Sequence, residues 1–274
     1  MKLIQRIFAG LLCVLAVLAG MPPAAAALAQ DAADLTILFT HDTHDHFYPD
    51  AGGLGGYTRL AALLEERRAA AAAQGRAVVT LDGGDFSMGS LFQTVYATDA
   101  PELRALGAMG YDAVTLGNHE FDYRQTGLAE MLRAALASGG PLPAIVQANY
   151  TTPTDPAEGR DLAQALRDYP VTDYVLLERE AGGRTLRVAV FGLMGLDSHE
   201  CAPMSGMEYQ PIEEAAKRVV AEIREKERAD YIICLSHSGT EDGKGEDYEL
   251  AKAVDGIDVI ISGTPTPPSE SLSG

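Results

Sequence analysis

Along this chain, short runs of apolar and β-branched residues alternate with longer stretches whose apolar positions recur at helical spacing. Leu35–Thr40 and residues 77–81, 113–116, 144–149, 231–235 and 257–261 read as strands, most of them buried. Tyr57–Ala73 predicts a helix with Leu60, Leu63 and Leu64 on one face and Glu65, Glu66, Arg67 and Arg68 outside, stopped by Gly75. Further helices are expected at 102–109, 126–137 and 212–227; the last carries Ile212, Ala216, Val219, Val220 and Ile223 on one side and a solvated charged face on the other. Residues 171–178 and 185–190 flank Gly182-Gly183 and predict an antiparallel hairpin. Residues 192–205 read as irregular, with His199 a loop residue without a partner, and 241–249 as a loop entering a short helix. The alternation of strand and helix implies an α/β fold. The length suits one large domain or two small ones.

The first 29 residues stand apart from this pattern. A basic start with Lys2 and Arg6 precedes an apolar run from Ile7 to Gly20, and Ala27-Leu28-Ala29 has the form of a cleavage site. Residues 1–29 therefore read as a signal peptide, with an uncleaved anchor as the alternative, and the protein is expected to be exported. Export implies a periplasmic, extracellular or cell-surface location and no stable membrane association once the leader is removed. Removal of Lys2 and Arg6 moves the net charge from −18 to −20. So acidic a surface repels phosphate backbones and anionic membranes, which argues against a nucleic-acid polymer as partner. Cys201 and Cys234 remain, and export permits a disulfide between them; Cys234 lies in an apolar run and reads better as a small buried core residue.

The candidate chemistry lies where strands stop. Leu35–Thr40 runs into His41-Asp42-Thr43-His44-Asp45-His46. An Asp-x-His pair at a strand end is either an ordinary solvated turn or a carboxylate and an imidazole offered to one divalent ion. Recurrence favours the second reading. Residues 77–81 end in Asp82-Gly83-Gly84-Asp85, 113–116 in Gly117-Asn118-His119-Glu120-Phe121-Asp122, and 231–235 in Ser236-His237-Ser238-Gly239. Asp42, His44, Asp85, Asn118, His119 and His237 thus come from four strand ends, at the lip where open α/β sheets hold their sites. The glycine-rich stretch 52–56 is expected to let the backbone pass close to that lip. A carboxylate such as Asp85 can bridge two ions about 3.5–4 Å apart. His119, next to Asn118, suits protonation of a leaving group, with Asp122 three residues on to orient it.

These segments resemble the metallophosphoesterase (calcineurin-like) superfamily, specifically its secreted 5'-nucleotidase or bifunctional metallophosphatase branch. The carrying segments are Thr40-His41-Asp42-Thr43-His44, Gly83-Gly84-Asp85, Gly117-Asn118-His119-Glu120-Phe121-Asp122 and Leu235-Ser236-His237-Ser238-Gly239. The resemblance implies a four-layered αββα sandwich over residues 30–263 and two divalent ions, whose mixed ligands suit Mn, Zn, Fe or Co. By that resemblance Asp42 and His44 bind the first ion, Asp85 bridges, Asn118 and His237 bind the second, and His119 with Asp122 forms the acid dyad. The implied substrate is a small-molecule phosphate ester or nucleotide, most simply a nucleoside 5'-monophosphate. A related enzyme acting on cyclic nucleotides or sulfur esters, or a binding protein that keeps the fold without the chemistry, remains open at this point.

Two departures qualify the resemblance. Asp45 stands where many relatives carry Gly. The family also closes its cage with Gly-His-Thr-His, whereas here Gly263 is followed by Thr264-Pro265-Thr266-Pro267, with no imidazole at either position. Gly-His-Thr-His-Thr written as GGC CAC ACC CAC ACC becomes Gly-Thr-Pro-Thr-Pro when one C is deleted. Residues 264–274 are therefore expected to be an out-of-frame or divergent tail, the domain incomplete at its C-terminus, and metal binding weakened.

Overall fold

The computed structural model describes residues 35–152, 160–240 and 244–263. The leader expected at 1–29 and the tail expected at 264–274 lie outside the described residues.

Four parallel strands build the first sheet in the order β1-β2-β3-β4: β1 (Leu35–Thr40), β2 (Ala77–Asp82), β3 (Ala113–Val114) and β4 (Ala144–Ile145). Helices α1 (Tyr57–Ala73), α2 (Tyr96–Asp99), α3 (Pro101–Ala108) and α4 (Arg124–Ala137) lie between them in sequence. Parallel pairing demands such crossovers, so all four strands end at the same edge of the sheet.

The chain continues through β5 (Tyr150–Thr151), α5 (Arg160–Asp168), β6 (Tyr174–Ala181), β7 (Arg184–Met194), α6 (Leu196–Cys201), β8 (Glu208–Tyr209), α7 (Ile212–Lys226), β9 (Tyr231–His237), α8 (Glu246–Ala253) and β10 (Val259–Ser262). The second sheet has the order β10-β9-β7-β6, with only the β6–β7 hairpin antiparallel.

Packing gives the four layers. Val79 and Leu81 of the first sheet meet Val188, Val190, Ile233 and Leu235 of the second in one buried cluster between the sheets. Leu64, Leu103, Leu106, Leu128 and Leu132 cover the first sheet from outside. Ala216, Val219, Val220, Ile223 and Leu250 cover the second. The αββα sandwich expected from the motifs is the fold found. Apolar burial across three interfaces supplies its main driving force, at about 25 cal/mol per Å² removed from water.

Several expectations are corrected. β3 and β4 are two residues each: Val146 N–H still donates to Val114 O at 2.9 Å, but Gln147 N–H turns to Thr172 O and Ala148 N–H to Gly192 O of β7, both at 2.8 Å. The stretch 192–205 is not irregular, since β7 runs to Met194 and α6 follows. His199 is not an unpartnered loop residue. It sits on α6, its Nδ1 3.0 Å from the Tyr150 hydroxyl, and stacks on Tyr209 at 4.9 Å. Leu63 lies on the open side of α1, 46% exposed, and lines a groove of about 390 Å³ with Thr43, His46 and Tyr57. Arg218, on the charged face of α7, does have partners: it pairs with Asp173 and donates to Ala148 O. Cys201 is exposed, Cys234 is fully buried, and both are free thiols, as the core reading of Cys234 requires.

Candidate metal centre

The ends of β1, β2, β3 and β9 meet at one edge of the sandwich, and backbone hydrogen bonds join their lips. Asp42, His44 and Asp45 N–H groups donate to Gly84, Asp85 and Phe86 carbonyls at 3.1, 3.0 and 2.9 Å. The β1 lip is thus stitched to the β2 lip. Asp42, His44, Asp45 and Asp85 all have positive φ, between 42° and 51°. Left-handed backbone at non-glycine residues costs about 1–3 kcal/mol each and concentrates at functional sites.

A buried carboxylate holds the lips together. Glu120 Oε2 accepts from Asp85 N at 3.0 Å and Gly117 N at 2.6 Å, while Oε1 accepts from Ser87 N at 3.1 Å and Ser87 Oγ at 2.8 Å. Sequence reasoning passed over Glu120, although it lies inside the most specific motif. Burial and the charge of Asp85 push its pKa up. Asp82, also buried, accepts from Thr40 Oγ1 at 2.5 Å and Gly84 N at 3.0 Å; burial pushes it to about 7.

Asp85 is the centre of the arrangement. Oδ1 accepts from His119 N at 2.9 Å, and Oδ2 lies 3.2 Å from His237 Nε2. Burial raises its pKa, but the charge and hydrogen bond of His237 outweigh this and hold it at about 2. His237 is buried, which lowers its pKa, yet Asp85 brings it to about 9. Its Nδ1 lies 2.9 Å from Gly83 O, which fixes the ring and aims Nε2 at Asp85 and at Asn118 Oδ1, 3.3 Å away. Gly117 must be glycine here: a Cβ would stand 2.2 Å from Asp85 Oδ1 and 2.6 Å from His237 Cε1.

Two sets of donors emerge. His44, Asp85 and His119 present ligand atoms within 4.8 Å of one another, and so do His41, Asp42 and His237. Nδ1 of His44 faces the carbonyls of Ser87 at 3.2 Å and Met88 at 3.1 Å, leaving Nε2 free. An Asp42 ligand atom lies within 4.8 Å of one of His237. Burial raises Asp42, but the neighbouring His41 and His237 outweigh it, and its pKa is lowered.

His119 and Asp122 form the expected pair, Nδ1 to Oδ2 at 2.8 Å, with side chains 32% and 44% exposed. The hydrogen bond to Asp122 is the main reason the imidazole titrates at about 9. The His119 ring is thus partly open to solvent, beside His44 and Asp85.

The donor spacings fit divalent ions. Two donors each about 2.1 Å from one ion stand about 3.0–3.4 Å apart at bond angles of 90–109°. Asp85 Oδ2 and Asn118 Oδ1 lie 3.2 and 3.3 Å from His237 Nε2. Carboxylate, amide oxygen and imidazole together favour a borderline divalent ion.

The model of the family described as "Calcineurin-like phosphoesterase" matches residues 35–263. The chain belongs to this family. Calcineurin-like phosphoesterases use divalent metals, in keeping with the two donor groups. The chain is 32% identical over 247 residues to the trifunctional nucleotide phosphoesterase protein YfkN of Bacillus subtilis, covering 84% of itself and 16% of that protein. It is 30% identical over 208 residues to a 5'-nucleotidase of Vibrio cholerae, covering 75% of itself and 34% of that protein. The crystal structure of a 5'-nucleotidase precursor from Thermus thermophilus superposes with TM-score 0.64 at 28% identity, over 84% of this chain and 41% of that one. The chain thus spans well under half the length of these relatives.

Proposed function

We propose that this calcineurin-like phosphoesterase is an exported dinuclear-metal hydrolase of phosphate monoesters, most simply nucleoside 5'-monophosphates. The observation that carries the reading is the convergence of Asp85 Oδ2 and Asn118 Oδ1 on His237 Nε2. Similarity to nucleotide phosphoesterases and a 5'-nucleotidase supports the substrate class. The word precursor in the name of the Thermus relative accords with export.

In this reading Asp42 and His44 would hold one ion, Asn118 and His237 the other, and Asp85 would be shared. Bound divalent ions supply Lewis-acid polarisation of the phosphoryl group and activation of a water. The protein does the rest. Glu120 fixes the Asp85 and Gly117 backbones, so ligands from two strands hold their positions before substrate arrives. Asp122 holds His119 in its charged form, ready to donate a proton from Nε2 to the departing ester oxygen.

Thr264 and Thr266 stand where the family's closing histidines would be, and a hydroxyl is a poor replacement for an imidazole. Loss of even an outer partner of a metal ligand costs about 10–100-fold in affinity or activity. The chain as written therefore binds metal weakly and turns over slowly, below the usual enzymatic range of about 1–1,000 per second. The same threonines favour a second reading, a binding protein that has kept the fold and lost the chemistry. Hydrolysis of a nucleoside 5'-monophosphate and of a chromogenic phosphate ester, with Mn²⁺ or Zn²⁺ and with chelator, tests both. Slow, metal-dependent phosphate release supports the hydrolase. Ordinary enzymatic rates would remove the impairment, and no release above the chelated control would favour the binding protein.

A further inference from the structure

Residues 195–209 leave the end of β7, carry α6 and return at β8. Buried Asn149 clasps both ends of this loop: it accepts from Met194 N–H at 2.8 Å and donates from Nδ2 to the Met194 and Gln210 carbonyls at 2.7 and 2.9 Å. Compact surface loops closed in this way are frequently functional. The loop also spans the donor groups. On one side Gly195 N–H donates to His237 O at 2.9 Å, and a Cβ at Gly195 would stand 2.3 Å from Ser238 Cβ. On the other, a Cβ at Gly206 would stand 1.5 Å from Gln125 Nε2, just beyond Asp122. Between the two, burial and then the charges of Asp197 and Asp85 raise the pKa of the Cys201 thiol, which puts the end of α6 within electrostatic reach of the central carboxylate.

His199 is the imidazole of this loop, and its ring is held firmly. It stacks on Tyr209, centroids 4.9 Å apart and planes at 13°, and meets the Tyr150 ring edge-on at 5.4 Å. Tyr150 in turn meets Phe121, beside the His119 turn, at 5.3 Å. Nδ1 lies 3.0 Å from Tyr150 Oη, which lies 2.5 Å from Ser205 Oγ. Ser205 is buried and accepts from Met207 N–H at 3.3 Å. The arrangement that satisfies each member sends the serine proton to Tyr150 Oη and the tyrosine proton to His199 Nδ1. A neutral imidazole that accepts at Nδ1 carries its own proton on Nε2. Among the described residues Nε2 has no hydrogen-bond partner, and the side chain is half-buried. The chain thus holds a fixed N–H donor ready for a ligand, which loses little entropy on binding.

We propose that His199 is a specificity-determining residue, whose Nε2–H donates to a hydroxyl on the alcohol half of the phosphate ester, as a sugar provides. The loop and Tyr150 rest against the 119–125 turn, and His119 is the group placed to protonate the departing ester oxygen. A donor on this side faces the leaving alcohol, and a neutral imidazole suits an uncharged hydroxyl. The proposal rests on the hydrolase reading and narrows its substrate to sugar phosphates, nucleoside 5'-monophosphates among them.

The test measures phosphate release by the full chain with Mn²⁺ from adenosine 5'-monophosphate and from nitrophenyl phosphate, which has no hydroxyl on its alcohol half. His199→Phe keeps a ring on Tyr209 and removes the donor. It should lower kcat/KM for the nucleotide about 3–10-fold, through KM, and leave that for the nitrophenyl ester unchanged. His199→Gln, whose amide nitrogen reaches the place of Nε2, should recover most of the loss. In wild type labelled with ¹⁵N-histidine, the His199 Nε2 resonance should show a protonated nitrogen that shifts when the nucleotide is added. Equal losses on both esters, no loss on the nucleotide, or no recovery in His199→Gln overturns the proposal. If His199→Phe does not fold, an Nε2 resonance that the nucleotide leaves unmoved overturns it instead. A wild-type chain that hydrolyses neither ester removes the hydrolase reading and this inference together; wild-type hydrolysis with an unchanged substrate ratio in the His199 variants removes this inference alone.

Discussion

Glu120 makes the strongest claim about what holds the site together. It is fully buried and accepts four hydrogen bonds, three of them from the backbone N–H groups of Asp85, Ser87 and Gly117. In Glu120→Ala those three N–H groups lose their acceptor inside the protein, at about 1–3 kcal/mol each. Relief from burying the carboxylate, evident in its raised pKa, offsets part of this. The net loss should be about 3–6 kcal/mol, a large share of the 5–15 kcal/mol that usually stabilises a domain. Glu120→Gln is milder. Its amide oxygen can serve Asp85 and Gly117 while its NH₂ faces Ser87, whose hydroxyl can turn to accept. One orphaned N–H remains, worth about 1–3 kcal/mol. Urea unfolding of the metal-free proteins measures both losses, and metal titration of Glu120→Gln should show weaker binding although no ligand has changed. An Ala variant within about 1 kcal/mol of wild type would refute the clamp.

Other variants probe other parts of the structure. Gly117→Ala drives a Cβ to 2.2 Å from Asp85 Oδ1, so it should lose about 1–3 kcal/mol in urea unfolding and bind metal poorly; wild-type behaviour would contradict the close approach. Glu102 is buried with neither carboxylate oxygen hydrogen-bonded among the described residues, and burial pushes its pKa from 4.5 to about 8. The folded state therefore keeps a proton that the unfolded chain releases, and this stability is full below about pH 4.5 and lost as pH rises through 8, by up to about 5 kcal/mol. Glu102→Gln should flatten that decline in a series of urea melts from pH 5 to pH 9; parallel profiles for the two proteins would exclude it. His119→Gln should cut turnover by about 10²–10⁴ for esters with poor leaving groups and much less for a nitrophenyl ester, as loss of a general acid requires. Equal losses on both substrates would assign His119 to metal binding, alongside His44 and Asp85.

The fold was legible because its strands are nearly continuous apolar runs and α7 has one clean apolar face. What failed to read out were local departures set by distant partners. The stretch 144–149 looks like one strand, but the first sheet loses it after Val146, because Gln147 N–H goes to Thr172 O and Ala148 N–H to Gly192 O of β7. His199 has no ligand-like spacing to its neighbours in sequence; its partners, Tyr150 and Tyr209, are brought together by the β5–β8 pairing. The glycine stretch 52–56 was expected to serve the lip, yet Gly56 is held against Pro49, and the glycines that touch the donors are Gly83, Gly84, Gly117 and Gly263. At the site, strand-end chemistry marked Asp42, His44, Asp85, Asn118 and His237 because each lip carries an obvious donor. The left-handed turns at Asp42 and His44 that set the β1 lip against the β2 lip are not encoded in any residue spacing. Glu120 was hidden by adjacency: it sits beside His119, a more familiar residue of the same motif, and only burial and hydrogen bonding separate its job from its neighbour's.

Metal stoichiometry at saturation tests the central claim most directly. Calorimetric titration of stripped protein with Zn²⁺ or Mn²⁺, checked by elemental analysis, should give two ions per chain for wild type. Asp85→Asn should give one or none, because Asp85 belongs to one donor group and touches His237 of the other. One ion or none in the wild type at saturation, or two in Asp85→Asn bound as tightly as in wild type, would contradict the shared dinuclear centre.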